Sequence, residues 1–174
     1  MSETKDMSDF EQVFLPHLSA AYNLARWLTR NTADADDVVQ EAYLRAFRFS
    51  ENYQGGDSRA WLLKIVRNTC YTWLKKNRPR EIIYELEEEA HEALTADPAT
   101  ILEESIDRSV VKKLLDGLPV PYREIVVMRD IEGLSYKEIA AVTELPLGTV
   151  MSRLSRARKR LQADAGVAQT GVLT

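Results

Sequence analysis

Apolar side chains recur along this chain at helical spacing, and no alternating β-branched runs bounded by hairpin turns mark strands. Phe10, Val13, Phe14, Leu18, Ala21, Leu24, Ala25 and Leu28 form the first stripe. It predicts a helix capped by Ser8 or Asp9 and ending near Asn31. A second helix is predicted from between Thr32 and Asp34 to about Phe49. The polar run from Glu51 to Asp57, with Gly55 and Gly56 paired inside it, reads as a loop. Asp57 or Ser58 can cap a third helix reaching Asn77, with Pro79 ending it. Helical spacing returns at Ile101, Ile106, Val110, Leu114 and Leu115, and Gly117, Pro119 and Pro121 break it. Three short helices fit into 121–163, and the small, polar tail after Asp164 is expected to fray. The pattern predicts an all-α chain of two small helical domains joined by a linker.

Charge sharpens this division. The chain has 174 residues and a net charge of −4. Residues 1–80 carry 12 Lys/Arg against 10 Asp/Glu, and residues 108–174 carry 11 against 7. Residues 81–107 carry no Lys/Arg and 10 Asp/Glu. The predicted organisation is a domain over 8–80, an acidic linker over 81–107, a domain over 108–163 and a tail over 164–174. Two basic lobes around an acidic middle are compatible with nucleic-acid binding despite the overall sign. Cys70 is the single cysteine, which excludes a disulfide framework and a cysteine-based zinc site. His17 and His91 have no ligand spacing, so no metal and no cofactor is expected. No apolar run is long enough to span a membrane, and the start lacks a secretory pattern, so a cytoplasmic protein is expected. No nucleophile–base pair or phosphate loop suggests an enzyme.

The most specific local motif lies in residues 134–161. Ser135-Tyr136-Lys137-Glu138 reads as a capping box. Ile139, Ala140 and Val142 give that short helix an apolar face, and Glu144-Leu145-Pro146 makes a turn. Val150, Leu154, Ala157 and Leu161 then form an apolar stripe, beside a polar one of Thr149, Ser152, Arg153, Arg156 and Arg160. With Arg158 and Lys159, residues 149–161 hold five basic residues and no acidic one. A capped helix, a tight turn and a basic helix describe a helix-turn-helix able to enter a major groove. A helical hairpin with a solvated cationic face is the plainer alternative.

Two further faces stay open on the residues alone. Arg59, Lys64, Arg67, Lys75, Lys76, Arg78 and Arg80 line or follow the third helix, among Trp61, Tyr71 and Trp73. Aromatics beside cations suit single-stranded bases, but Trp61, Ile65, Val66 and Trp73 at helical spacing suit a core better. Tyr53, with Asn52 and Gln54 in the loop, is the freer candidate. Asp34, Asp36, Asp37, Gln40 and Glu41 crowd the start of the second helix. They serve equally as dipole compensation, at about 0.3–1 kcal/mol each, or as a docking face for a basic helix.

The runs Asp34-Ala-Asp-Asp-Val-Val-Gln40-Glu41-Ala-Tyr-Leu-Arg-Ala-Phe47 and Arg59-Ala-Trp61-Leu-Leu-Lys-Ile65-Val-Arg67-Asn68 resemble region 2 of bacterial extracytoplasmic-function (ECF) sigma factors. The segment from Leu118-Pro119 through Gly133-Leu-Ser135-Tyr-Lys-Glu138 to Arg158 resembles their region 4. The resemblance spans about residues 8–163. It implies an alternative sigma factor directing promoter recognition and transcription initiation. Asp34, Asp37, Gln40 and Glu41 would bind the β′ clamp helices of core RNA polymerase, and region 4 would meet the β flap. Asn52, Tyr53, Gln54, Asp57, Ser58 and Arg59, with Arg67 and Asn68, would capture the unpaired −10 strand. Thr149, Ser152, Arg153, Arg156, Lys159 and Arg160 would contact the −35 element. The acidic linker would thread channels otherwise filled by nucleic acid. An anti-sigma factor is the implied regulator, and the chain would act as a monomeric subunit without membrane insertion.

Met151 stands where many relatives carry Lys or Arg, and Thr72 where Asp is common. Gly55-Gly56-Asp57-Ser58 is a loop variant of its own, so base preference does not transfer. Cys70 reads as a packed helix residue. Two rivals are a mimic that titrates an anti-sigma factor and a free-standing repressor. The cationic stripe argues against the first, and the lack of a heptad dimer surface against the second.

Overall fold

The computed structural model describes residues 2–82 and 107–171, with side chains over 7–82 and 107–166. The described residues form helices and turns, with no strand among them. The expected linker falls almost wholly on residues outside this set, as does the start of the helical spacing at Ile101.

The first unit is built on four helices: α1 (Ser2–Phe14), α2 (Leu18–Thr29), α3 (Thr32–Arg48) and α4 (Ser58–Asn77). The single first helix expected from the apolar stripe is two helices, and α1 begins at Ser2 rather than at the Ser8 or Asp9 cap. Pro16 has no N–H to donate and crowds the preceding turn. The chain answers with a tight 3-10 turn over Leu15–His17 before α2 resumes. Arg30 closes α2 in the left-handed region, at φ 58°. Asn31 then caps α3 by accepting from the Asp34 N–H at 3.1 Å. Asp57 caps α4 by accepting from the Ala60 N–H at 3.0 Å, and Arg78 ends it.

The core of this unit is aliphatic on one side and aromatic on the other. Leu24, Leu28, Leu62, Leu63, Val66 and Leu74 are buried. Cys70 is fully buried among them, a packed residue. Phe10 and Phe14 carry the aromatic side, against Tyr43, Phe47, Tyr53 and Trp61. Of the expected core residues on α4, Val66 is buried while Trp61, Ile65 and Trp73 are half-buried.

The second unit contains α5 (Arg108–Asp116), α6 (Val120–Val126) and α8 (Leu147–Gly171), and α7 (Tyr136–Thr143) precedes α8 in the chain. Asp107 caps α5. Its far end is capped from the next helix: buried Arg123 donates to the carbonyls of Leu115, Asp116 and Leu118. Leu115 and Asp116 lie in the last turn of α5, where carbonyls lack a full set of helical partners, and Leu118 lies just beyond it. Every residue of α6 is buried, and it widens into a π turn over Val127–Ile131. α8 is not the short helix expected. It runs for 25 residues, continuing past Asp164 into the expected tail. Gln162, Ala163, Ala165 and Ala168 propagate helix well, and one interior Gly166 costs only about 1 kcal/mol.

Candidate nucleic-acid interface

α7 and α8 carry the motif read from the sequence. Ser135 Oγ accepts from the Glu138 N–H at 3.1 Å, and Glu138 Oε1 accepts from the Ser135 N–H at 3.0 Å. The capping box is therefore closed in both directions. The turn passes through Glu144 in the left-handed region, at φ 59°. The Pro146 carbonyl accepts from Thr149 and Val150, so Pro146 stands just ahead of the helix rather than at its first position. Val150, Leu154, Ala157 and Leu161 are buried, as their spacing demands.

The basic residues of α8 divide. Lys159 and Arg160 are exposed, while Thr149, Ser152 and Arg156 are half-buried. Ser152 Oγ donates to the Thr149 carbonyl at 3.1 Å. Arg153 is buried. Arg158 is buried too, and its Nη2 lies 2.6 Å from Asp130 Oδ1. Arg158 belongs to the cationic segment by sequence, but it is an internal tie. Its pairing shows nowhere in local spacing, because the two residues are 28 positions apart.

The loop between α3 and α4 brings most of the second set together. Asn52, Gln54 and Asp57 are exposed, while Tyr53, Ser58 and Arg59 are half-buried. Tyr53 is not the free ring expected. It packs 5.3 Å from Phe14 and 5.4 Å from Trp61 between centroids. Its hydroxyl donates to the Gly56 carbonyl at 2.9 Å. Gly55 and Gly56 sit at φ 88° and 93°, with no atom within 4 Å of where a Cβ would stand. They are required by backbone conformation, not by crowding. His17 Nε2 lies 2.8 Å from Ser58 Oγ. Burial, and next the Arg59 charge, hold the His17 imidazole below its ordinary range, with Asp57 opposing. Sequence spacing gave no sign of this residue. Further along α4, the Arg67 guanidinium stacks 3.8 Å from the Tyr71 ring centre, beside exposed Asn68.

On α3, Asp37 and Gln40 are exposed. Glu41 is half-buried and pairs with Arg45 at 2.9 Å, one turn on. Asp34 differs from them. Its carboxylate lies 3.5 Å from Arg78 Nη2, and Arg78 also donates to the Thr29 carbonyl. Leu44, 55% exposed, continues the Asp37–Glu41 face, an apolar residue outside the set of charged candidates. Its place at i+7 from Asp37 was the available signal.

The chain thus carries an acidic helix face, an aromatic-backed loop and a capped helix-turn-helix. The Sigma-70 region 2 family matches residues 13–80, and the Sigma-70, region 4 family matches residues 108–161. The ECF RNA polymerase sigma factor SigE of Mycolicibacterium smegmatis is 36% identical over 158 residues, 90% of this chain and 61% of that protein. The ECF RNA polymerase sigma-E factor of Escherichia coli is 32% identical over 139 residues, 75% of this chain and 73% of that one. Among solved structures, the sigma factor RpoE in complex with the anti-sigma factor NepR from Bartonella quintana aligns with a TM-score of 0.69. It is 33% identical, over 89% of this chain and 95% of its own. CnrH, in complex with the cytosolic domain of CnrY, aligns at 0.65 and 27% identity, over 92% and 90% of the two chains. The chain belongs to the ECF sigma factor family.

No described helix is long and apolar enough to cross a membrane.

Proposed function

We propose that this chain is a specificity subunit of RNA polymerase, directing core enzyme to a set of promoters and assisting their melting. The observation that carries the reading is the presence, in one chain, of the acidic α3 face and the capped helix-turn-helix of α7 and α8, on segments matching both sigma regions. Exposed Asp37 and Gln40, with Glu41 beside them, engage the β′ clamp helices, with Asp34 supporting the face from within. The Asn52–Ser58 loop, Arg59, Arg67 and Asn68 receive the unpaired −10 strand. Extruding a base costs a few kcal/mol and needs a shaped pocket with a backbone clamp. Thr149, Ser152, Arg156, Lys159 and Arg160 meet the −35 element, with Arg153 at the buried edge of that set, and region 4 also meets the β flap. The linker over 81–107, free of Lys and Arg, follows channels built for nucleic acid.

An anti-sigma factor holds the chain inactive, as the pairing of RpoE with NepR and of CnrH with CnrY supports. The family is not one of enzymes, and the chain works in the cytoplasm, where the polymerase is. The test is a pull-down with core RNA polymerase followed by transcription from a library of promoter fragments. Binding with defined start sites is the expected result. Failure to bind active core overturns the reading in favour of a mimic or a repressor.

A further inference from the structure

We propose that His17 is a positioning residue for −10 strand capture: its imidazole holds Ser58, and through Ser58 the loop that receives the unpaired base. The inference rests on reading the Asn52–Ser58 loop as the −10 surface.

The loop is anchored at both ends on one short stretch of chain, Phe14 to His17. At its start, the Tyr53 ring lies against Phe14 at 5.3 Å. At its end, Ser58 Oγ lies 2.8 Å from His17 Nε2. That stretch is itself fixed, because Tyr43 on α3 donates its hydroxyl to the Phe14 carbonyl at 2.9 Å. It exists because Pro16 interrupts the helix and forces the 3-10 turn that ends on His17. Between the anchors, Gly55 and Gly56 meet no neighbour where a side chain would stand. The Tyr53–Gly56 hydrogen bond spans this stretch.

The consequence concerns ordering. A loop that must be arranged on binding costs about 0.5–1.5 kcal/mol for each rotamer-rich side chain it immobilises. Two anchors on a rigid turn remove part of that cost before DNA arrives. Ser58 is also the first residue of α4, next to the Asp57 cap and to Arg59. Moving Ser58 shifts both the start of that helix and the cation that follows it. His17 touches no base in this arrangement and acts through Ser58. Burial and then Arg59 oppose a proton on its imidazole, against the pull of Asp57.

The experiment uses the full chain assembled with core RNA polymerase. Permanganate reactivity of unpaired thymines measures open complex on one promoter and on copies with single −10 substitutions. Core binding is measured in parallel. Loss of a hydrogen-bonded anchor predicts about a 3- to 10-fold fall in open complex for His17→Ala and for Ser58→Ala. Discrimination among −10 variants flattens, and core binding is unchanged. The double variant is no worse than either single one. His17→Gln, whose amide reaches the Nε2 position, restores function, and His17→Asn, whose amide stops short, does not.

Additive losses, or wild-type discrimination in His17→Ala, overturn the proposal. If His17→Ala fails to fold and loses core binding, the Gln and Asn variants decide, and equal open complex from these two overturns it. Gln54→Ala separates this inference from the reading beneath it. If Gln54→Ala and Ser58→Ala leave −10 discrimination intact, the loop is not the −10 surface and the inference falls with it. If they change it and His17→Ala does not, the inference falls alone.

Discussion

Arg158 on α8 and Asp130 in the π turn after α6 form an ion pair in which both side chains are more than nine-tenths buried, at 3% and 6% exposure. The carboxylate also accepts from Arg158 Nε at 3.3 Å, so the pair is two-pronged. Removing one partner leaves a buried charge without its counter-charge, which costs about 3–5 kcal/mol. Arg158→Met is expected to lower the thermal midpoint of the second unit strongly. Asp130→Leu in the same chain should recover most of the loss, and circular dichroism melts check both. A melt of Arg158→Met matching wild type would show that the pair contributes nothing.

The capping box makes a smaller, local prediction. Ser135→Ala should cost about 1 kcal/mol, read from denaturant midpoints. Glu138→Gln keeps an acceptor for the Ser135 N–H and should be nearly neutral, while Glu138→Ala should not.

Asp37→Arg with Glu41→Arg reverses the exposed charge of α3 and is expected to abolish core-polymerase binding in a pull-down. Asp34→Asn should leave binding largely intact, because that carboxylate faces Arg78. As a partly exposed pair, it should cost at most about 1 kcal/mol of stability. Equal binding by wild type and the double variant would refute the acidic-face assignment.

Arg156→Ala should cost about 1–3 kcal/mol of −35 binding if its guanidinium meets a base edge. Transcription from −35-dependent promoters is expected to fall while core binding holds. Unchanged transcription counts against the contact.

His17 makes stability depend on pH. Its folded pKa lies below the ordinary 6.5, so the unfolded chain binds a proton first as pH falls. Stability is therefore full above about pH 6.5 and is lost progressively below it. His17→Gln removes this part of the slope. Denaturant midpoints measured at about pH 7.5 and about pH 5.5 should differ less in that variant than in wild type.

Features legible in the sequence were those written locally. The loop at Gly55-Gly56, the caps at Asp57 and Ser135 and the stripe from Val150 to Leu161 each depend on residues a few positions apart, and periodicity captures them. The interruption at Pro16 was also local, but an unbroken apolar stripe from Phe10 to Leu28 masked it. The pairs that brace the sites were not legible. His17 and Ser58 are 41 positions apart, and Asp130 and Arg158 are 28 apart. No spacing rule links such residues. For the same reason, a cationic count along α8 could not separate buried Arg158 and Arg153 from exposed Lys159 and Arg160. Roles toward polymerase and promoter came from the resemblance, since an acidic helix start fits dipole compensation equally well.

The tip at Gly55 and Gly56 is held by the Tyr53 hydroxyl on the Gly56 carbonyl, and the space where its side chains would stand is open. Residues at its exposed positions, such as Gln54, can therefore be exchanged without disturbing the packing beneath. Phe14 and His17, which touch Tyr53 and Ser58, cannot. On the proposed reading of this loop as the −10 surface, such a division would let base preference be altered at exposed positions while the anchor beneath is kept.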